Sequence, residues 1–418
     1  MSNVILSANS SSALLASLNE SESKRNPNIY NLPVCYPNSS TQWYNVEPNS
    51  GTAAAGQSQT FQLAKYGILE QLIFSYQKTV TATTSVNAAL TIPAGDMITQ
   101  VISRVEFLSS SKILSTLYAQ DIVAMLSDLD SDYLYGPSST ALKSELGTAA
   151  TPSATVTGTF TLPLVFDFMT NGGATNFNLA FQEPCSVRIV YNNLGGVTAS
   201  VGTLSAVTAS LDKVNLMIRY KAYDEQDTAE MLASNYEAES LNMLISRRFR
   251  ENPQSVTSSG GDYTFKIELR NVDVIENYYF IVQENYAVAD GKQSSSNILV
   301  PIKSVKLSAS GQEICNLTAD QLIYMKLTDQ GWPLTNSNVG ASTTIIAIDR
   351  VAKVQTGIMT KNHAWTNGFS QREMISCFAE VTCALTSGKS YTCYVQEKTS
   401  AIVSVSSNVG RTQLSLVN

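Results

Sequence analysis

A chain of 418 residues with a formal net charge of −7 has room for two or three domains, and its acidic balance excludes a surface devoted to nucleic acid. A single histidine, His363, and six cysteines without CxxC spacing exclude a His-rich metal site, a zinc ribbon and a small disulfide scaffold. Charged residues make up only 15%, Ser, Thr, Ala, Val and Asn are abundant, and Tyr outnumbers Phe by 19 to 13, which is the palette of β-sandwiches with long polar loops.

Residues 1–39 read as an N-terminal arm. The start, MSNVILSANSSS, has no basic n-region or long apolar core, so no standard secretory signal is expected. No run approaches the ~20 apolar residues of a membrane span, so a soluble product of a cytoplasm is expected. Leu6, Leu14, Leu15 and Leu18, followed by Lys24 and Arg25, form short apolar faces beside charge. Such an arm can order on a partner or a membrane surface; a frayed terminus is the plain alternative.

Residues 40–223 alternate between strands and turns. Phe61 to Gln77 holds two strands around Gly67, and a polar stretch follows from Ser127 to Gly158. The segment 213–223 is a clean strand, with Val214, Leu216, Ile218 and Tyr220 on one face and Lys213, Asn215, Arg219 and Lys221 on the other. About eight strands over this length fit a jelly roll better than an immunoglobulin sandwich of ~100 residues. Residues 224–254 break the pattern: acids lead, Arg247, Arg248 and Arg250 close, and a helical connector is expected on macrodipole grounds. Residues 255–405 repeat the strand plan, and 406–418 read as a polar tail.

The repetition is explicit. VISRVEFLSSSKILSTLYAQDIVAML (101–126) aligns without a gap on PIKSVKLSASGQEICNLTADQLIYMK (301–326), so Ile102 falls on Ile302, Val105 on Val305, Leu117 on Leu317 and Met125 on Met325. Each copy predicts strand, turn, strand and short helix, and Thr318 with Gln321 forms a capping-box pattern. Upstream, Thr60-Phe61-Gln62-Leu63 matches Thr264-Phe265-Lys266-Ile267, and Glu70, Phe74 and Gln77 match Glu276, Phe280 and Gln283. A period near 200 is too long for a solenoid or propeller, so two homologous β-domains in tandem are expected.

Candidate chemistry is sparse. Leu385 to Ser390 (LTSGKS) resembles the end of a P-loop, but Cys383 replaces the first glycine and strand continues afterwards, which predicts a hairpin turn. Asp128, Asp130 and Asp132 alternate like calcium ligands, yet Tyr133 and Ser139 occupy positions that need Gly and Glu. Cys377 and Cys383 share parity with Ile375, Ala379, Val381 and Leu385, so they read as reduced core residues on an inward face. Without a signal peptide, the N-x-S/T sequons at Asn9, Asn38 and Asn316 are taken as coincidental. No catalytic, cofactor-binding or metal-binding residue is assigned, and no enzyme activity or cofactor is expected.

The duplicated unit, the junction VNLMIRYKAYDEQDTAEMLASNY and the strand GDMITQVISRVEFLSSSKIL, with Ser109 to Ser111 in place of glycines, resemble a double jelly-roll major capsid protein. That lineage includes tailless membrane-containing bacteriophages, adenovirus hexon and the capsids of large eukaryotic DNA viruses. The resemblance implies an all-β fold of two tandem eight-stranded jelly-roll barrels with short helices and a helical connector. It implies a homotrimeric, pseudo-hexagonal capsomer tiling an icosahedral virion shell, with loops 127–158, 192–210 and 327–342 outward and the arm at the base. The implied partners are the chain itself, neighbouring capsomers, minor capsid or penton proteins and an internal viral membrane, with no direct nucleic-acid contact. The implied location is the virion, after synthesis in a host cytoplasm. A carbohydrate-binding or adhesin-like double β-sandwich, with Trp332 and Trp365 as its aromatic pair, shares the composition and remains the rival reading; a jelly-roll hydrolase would need paired carboxylates.

Overall fold

The structure is a computed structural model. It describes residues 40–65, 67–84, 89–91, 101–109, 112–128, 146–148, 153–166, 169, 184–192, 194, 198–199, 204–222, 240–270, 274–285, 299–329, 350–356, 369–370, 374–406 and 413–417. The first half contains β1 (Ser40–Val46), β2 (Ser50–Gly51), β3 (Ser58–Gln62), β4 (Ile68–Thr84), β5 (Ala89–Thr91), β6 (Ile102–Ser109), β7 (Lys112–Tyr118), α1 (Ala119–Asp128), β8 (Leu146–Thr148), β9 (Ser153–Leu164), β10 (Cys185–Tyr191), β11 (Thr198–Ala199) and β12 (Leu204–Ala222). The second contains β13 (Ser240–Arg250), β14 (Gln254–Thr257), β15 (Gly261–Leu269), β16 (Val274–Glu284), β17 (Leu299–Val300), β18 (Ile302–Ala309), β19 (Gln312–Thr318), α2 (Ala319–Asp329), β20 (Val351–Gln355), β21 (Phe369–Ser370), β22 (Cys377–Leu385), β23 (Ser390–Ser406) and β24 (Gln413–Val417).

In the first half, antiparallel strands form one sheet in the order β1-β12-β4-β9 and a second in the order β3-β10-β6-β7, edged by β2. The second half repeats this arrangement: β13 and β14 both pair with β23, which pairs with β16, which pairs with β20; the facing sheet runs β15-β22-β18-β19. Numbering the eight main strands of each half in chain order gives one-eight-three-six opposite two-seven-four-five in both. That is the jelly-roll order, in which consecutive strands, except the fourth and fifth, lie in opposite sheets that share one core.

Period-two burial explains the cores. Cys185, Val187, Ile189 and Tyr191 of β10 are buried and the residues between them are half-exposed; Cys377, Ala379, Val381, Cys383 and Leu385 of β22 follow the same rule. Phe61, Phe74, Val187 and Leu216 meet in the first core, and their counterparts Phe265, Phe280, Val381 and Val395 in the second. The strand expected at 213–223 is inside β12, with Leu216, Ile218 and Tyr220 buried. A register shift between Asp212 and Asn215 accommodates Lys213, whose φ is +47°.

The sequence duplication is a structural one. Arg104 to Ser109 pair with β7 through the same register as Ser304 to Ala309 pair with β19, and both hairpins bulge at the same place, after Phe107 and after Leu307. The second hairpin turns through Ser310 (φ +48°) and Gly311 (φ +78°), the left-handed pair that a tight two-residue loop requires. The predicted cap forms in part: the Thr318 N–H donates to Gln321 Oε1 at 2.9 Å. In the first copy the Tyr118 N–H donates to Asp121 Oδ2 at 2.8 Å, an equivalent cap that the sequence reading missed.

Three expectations need correction. Ser240–Arg250 is a strand, not the end of a helical connector; its eleven residues pair with β23, from Ser240 with Ser406 to Arg250 with Gln396, so the sheet satisfies the backbone groups that a helix would have used. The second barrel therefore begins before 255, while residues 223–239 lie outside the described residues. The tail contributes β24, which pairs with β23, from Ile402 with Val417 to Ser406 with Gln413. Ile375 does not share the inward face of its parity partners: it precedes β22 and is 94% exposed.

Candidate functional site

The most developed polar and apolar surface is the one that joins the barrels, and it starts from α1. Ala119, Gln120, Asp121, Ile122, Val123 and Ala124 are all buried, so the start of the helix is covered on every side. One side rests on β6 and β7 of its own barrel; the other meets β16, β20 and β23 of the second barrel. The outer face of β16 responds in kind. Tyr279, Ile281 and Val351 belong to the first barrel's core cluster, while their neighbours Tyr278, Phe280 and Val282 point into the second core. An apolar layer thus runs continuously from the first barrel, through α1, to the outer sheet of the second.

Polar groups set the register of this contact. Gln120 Nε2 donates to Gln283 Oε1 at 3.1 Å in a buried pair across the barrels. The Arg250 guanidinium lies 4.7 Å from the Tyr118 ring centroid and 4.6 Å from that of Tyr394, between one aromatic ring of each barrel. Arg248 lies 5.6 Å from the Tyr279 ring centroid. Asp121 is buried beside both arginines; burial pushes its carboxyl up to about 6, against the opposing pull of Arg248, the Tyr118 N–H and Arg250. Arg248 and Arg250, expected at a helix C-terminus, are instead held in a strand, Arg250 between rings of the two barrels and Arg248 over Tyr279 of its own barrel. Beside them Ile113, Tyr118, Phe249 and Pro253 line an open groove of about 540 Å³.

The remaining candidates are structural. The LTSGKS segment is a tight turn, with Gly388 at φ +78°, but it links strands of facing sheets rather than a hairpin. The Gly388 N–H donates to the Ser258 carbonyl at 2.9 Å, and Lys389 Nζ pairs with Glu284 Oε1 at 2.7 Å. The cysteines at 185, 377, 383 and 393 are buried and free; burial pushes the Cys185 and Cys383 thiols up to about 12, which suppresses thiolate chemistry. Lys78 is fully buried on the core-facing side of β4, between Tyr76 and Val80, and burial lowers its ammonium to about 7. Among the described residues, no group of three His, Cys, Asp or Glu converges as a metal site. Asp130, Asp132, Trp332, His363, Trp365 and the arm residues Leu6, Leu14, Leu15, Leu18, Lys24 and Arg25 lie outside the described residues, as do loop residues 129–145 and 330–349.

No family model matches the sequence, and no curated protein matches it. Solved structures do. VP54 of the virus PBCV-1, fitted into a reconstruction of the virophage Sputnik, superposes with a TM-score of 0.60 at 11% identity, covering 92% of this chain and 98% of that one. The chain has the double jelly-roll fold. The Faustovirus major capsid protein shares this double jelly roll with a TM-score of 0.55 at 10% identity over 93% and 97% of the two chains. The mavirus major capsid protein does so with 0.54 at 10% over 90% of each. In the present double jelly roll, the surface described above is the seam between the rolls.

Proposed function

We propose that this double jelly roll is a major capsid protein, a structural subunit whose product is an assembly rather than a reaction. The observation that carries this reading is the pair of equivalent barrels locked through α1 into one two-lobed block, in a fold shared along nearly the full chain with proteins named as major capsid proteins. Three copies of two barrels present six similar lobes, so a trimer approximates a hexagonal tile; duplication thereby reconciles threefold symmetry with sixfold packing. The finer points are that such trimers pave an icosahedral virion shell, contact neighbouring capsomers and penton or minor capsid proteins, and set the arm that bears Leu6, Leu14, Leu15, Leu18, Lys24 and Arg25 over an internal membrane. Binding would be spread over large trimer contacts, with neither catalysis nor a cofactor involved.

The test is absolute mass by light scattering after gel filtration. Three chains of 45.2 kDa give about 136 kDa, and a particle of that mass with a six-lobed outline is the expected result. A stable single chain under every salt condition would refute the capsomer and favour the carbohydrate-binding or adhesin-like alternative.

A further inference from the structure

The groove beside the seam is walled by two strand edges. Among the described residues, β7 is the last strand of its sheet and β13 the last of its own, so each has one side without a neighbouring strand. The groove is lined by Ile113 to Thr116 and by Arg248 to Pro253, two unbroken runs. Successive side chains of a strand point to opposite faces, so an unbroken run lines one cavity along the strand's edge. On that edge every second residue of β7 turns its N–H and C=O away from β6. Sheet edges are commonly guarded by charge, and the second barrel keeps this rule: Glu313 and Thr318 of β19 are exposed, with Glu313 paired to Lys306 at 3.3 Å. Two hundred positions earlier, β7 carries Ile113 and Tyr118 instead, both exposed, and Phe249 across the groove is exposed as well.

The groove also reaches Arg248 and Arg250. Stacking takes the flat faces of both guanidiniums, while their N–H donors lie in the plane between those faces. Arg248 Nη1 is buried without a hydrogen-bond partner, a group that calls for an acceptor. Asp121 does not supply it: its Oδ2 accepts the Tyr118 N–H, and its Oδ1 has no hydrogen-bond partner either. Glu251 turns elsewhere, its Oε1 accepting the Arg270 N–H at 2.5 Å. Two guanidiniums beside the single Asp121 carboxylate leave this end of the groove positive.

We infer that the groove is a docking site for an extended segment of a partner protein, one that carries a carboxylate among apolar or β-branched residues. The segment adds a strand to β7: its main chain meets the outward N–H and C=O groups, alternate side chains fall on Ile113, Tyr118 and Phe249, and its acid reaches Arg248 and Arg250. From Ile113 to Tyr118 the edge extends about 17 Å, room for about six residues. The recess accounts for the unguarded edge, because it admits one strand and excludes a second sheet. The site lies within one chain, so it stands whether or not copies assemble.

The experiment uses the full chain as immobilised bait for random heptapeptides displayed on phage, with the enriched sequences synthesised and their affinity measured by fluorescence polarisation. Sequences with Asp or Glu among apolar or β-branched residues are expected, and replacing that acid by its amide should weaken binding at least ~10-fold, the scale of a charge-assisted hydrogen bond. Arg250→Gln should weaken it by a similar factor, as should Ile113→Glu, which gives β7 the acid that β19 has. Both variants are checked for wild-type thermal unfolding; Ile113 is exposed, so its variant keeps the test open if Arg250→Gln fails to fold. Bound peptide should also slow hydrogen exchange at the β7 amides, which side-chain contact alone would not do. No enrichment, enriched peptides without an acid, peptides that bind Ile113→Glu as tightly as the wild type, or peptides that leave the β7 amides unprotected would each overturn the inference. None of these outcomes bears on the mass of the assembly, which tests the capsomer separately.

Discussion

Tyr279 and Phe280 are chain neighbours with opposite duties, and replacing each with alanine separates them. Phe280 is fully buried in the second core; Tyr279 is fully buried on the opposite face of the same strand, against the first barrel, with the Arg248 guanidinium 5.6 Å from its ring centroid and Lys353 Nζ 6.0 Å from it. Deleting a buried aromatic side chain costs about 3–5 kcal/mol, and losing two cation–π contacts adds roughly 0.5–2 kcal/mol at the seam. The two variants should therefore lose comparable stability in different places. Hydrogen exchange read by mass spectrometry gives the location: Tyr279→Ala should speed exchange in β7 and α1 of the first barrel. Phe280→Ala should do so in β15 and β22 of the second while sparing α1. If Tyr279→Ala left residues 117–124 as protected as in the wild type, the seam would not be held by the outer face of β16.

Two buried charges make further predictions. Burial lowers the folded pKa of Lys78 to about 7, well below its unfolded value, so between about 7 and 10 the unfolded chain binds more protons and stability rises with pH; below 7 the full penalty applies. Lys78→Met should therefore stabilise the protein by roughly 3–5 kcal/mol at pH 7 and by much less at pH 10, as measured by denaturant unfolding at both. For Asp121 the sign is opposite. Its folded pKa of about 6 lies above the ordinary carboxylate value, so the folded state binds more protons between about 4 and 6, and stability falls across that window as pH rises, by up to about 3 kcal/mol. Asp121→Asn keeps an oxygen for the Tyr118 N–H and should flatten this dependence in unfolding curves from pH 4 to 7; an unchanged slope would place the titration elsewhere.

The barrels were legible because one-sided strands advertise themselves: β10 and β22 alternate residue by residue, and the 200-residue repeat ties β6, β7 and α1 to β18, β19 and α2. The seam was not read, although its signal was present. Residues 275–283 of β16 are buried without alternation, and their sequence, IENYYFIVQ, is apolar on both faces around Tyr278 to Val282, as a strand covered on two sides must be. Likewise AQDIVAML of α1 carries apolar side chains around most of its circumference, while ADQLIYMK of α2 keeps a polar side. The strand β13 was misread for a different reason. Arginines after acids satisfy a helix dipole rule, but here partners distant in sequence, Tyr118, Tyr279 and Tyr394, decide what Arg248 and Arg250 do. No local pattern reports such partners.

The two copies of the duplicated unit have diverged in what covers them. The centre of the seam within the chain is sealed from water, so it could become apolar: Tyr279, Ile281, Val351 and Ala124 fill it. The corresponding surfaces of the other copies keep Ser75, Gln77, Thr159 and Thr161 on the first barrel and Asp320 and Gln321 on α2, with exposed apolar area at Trp43, Ile314 and Tyr324. A permanent interface resembles a core, whereas one that forms from folded soluble partners has a polar surround and a few large anchors.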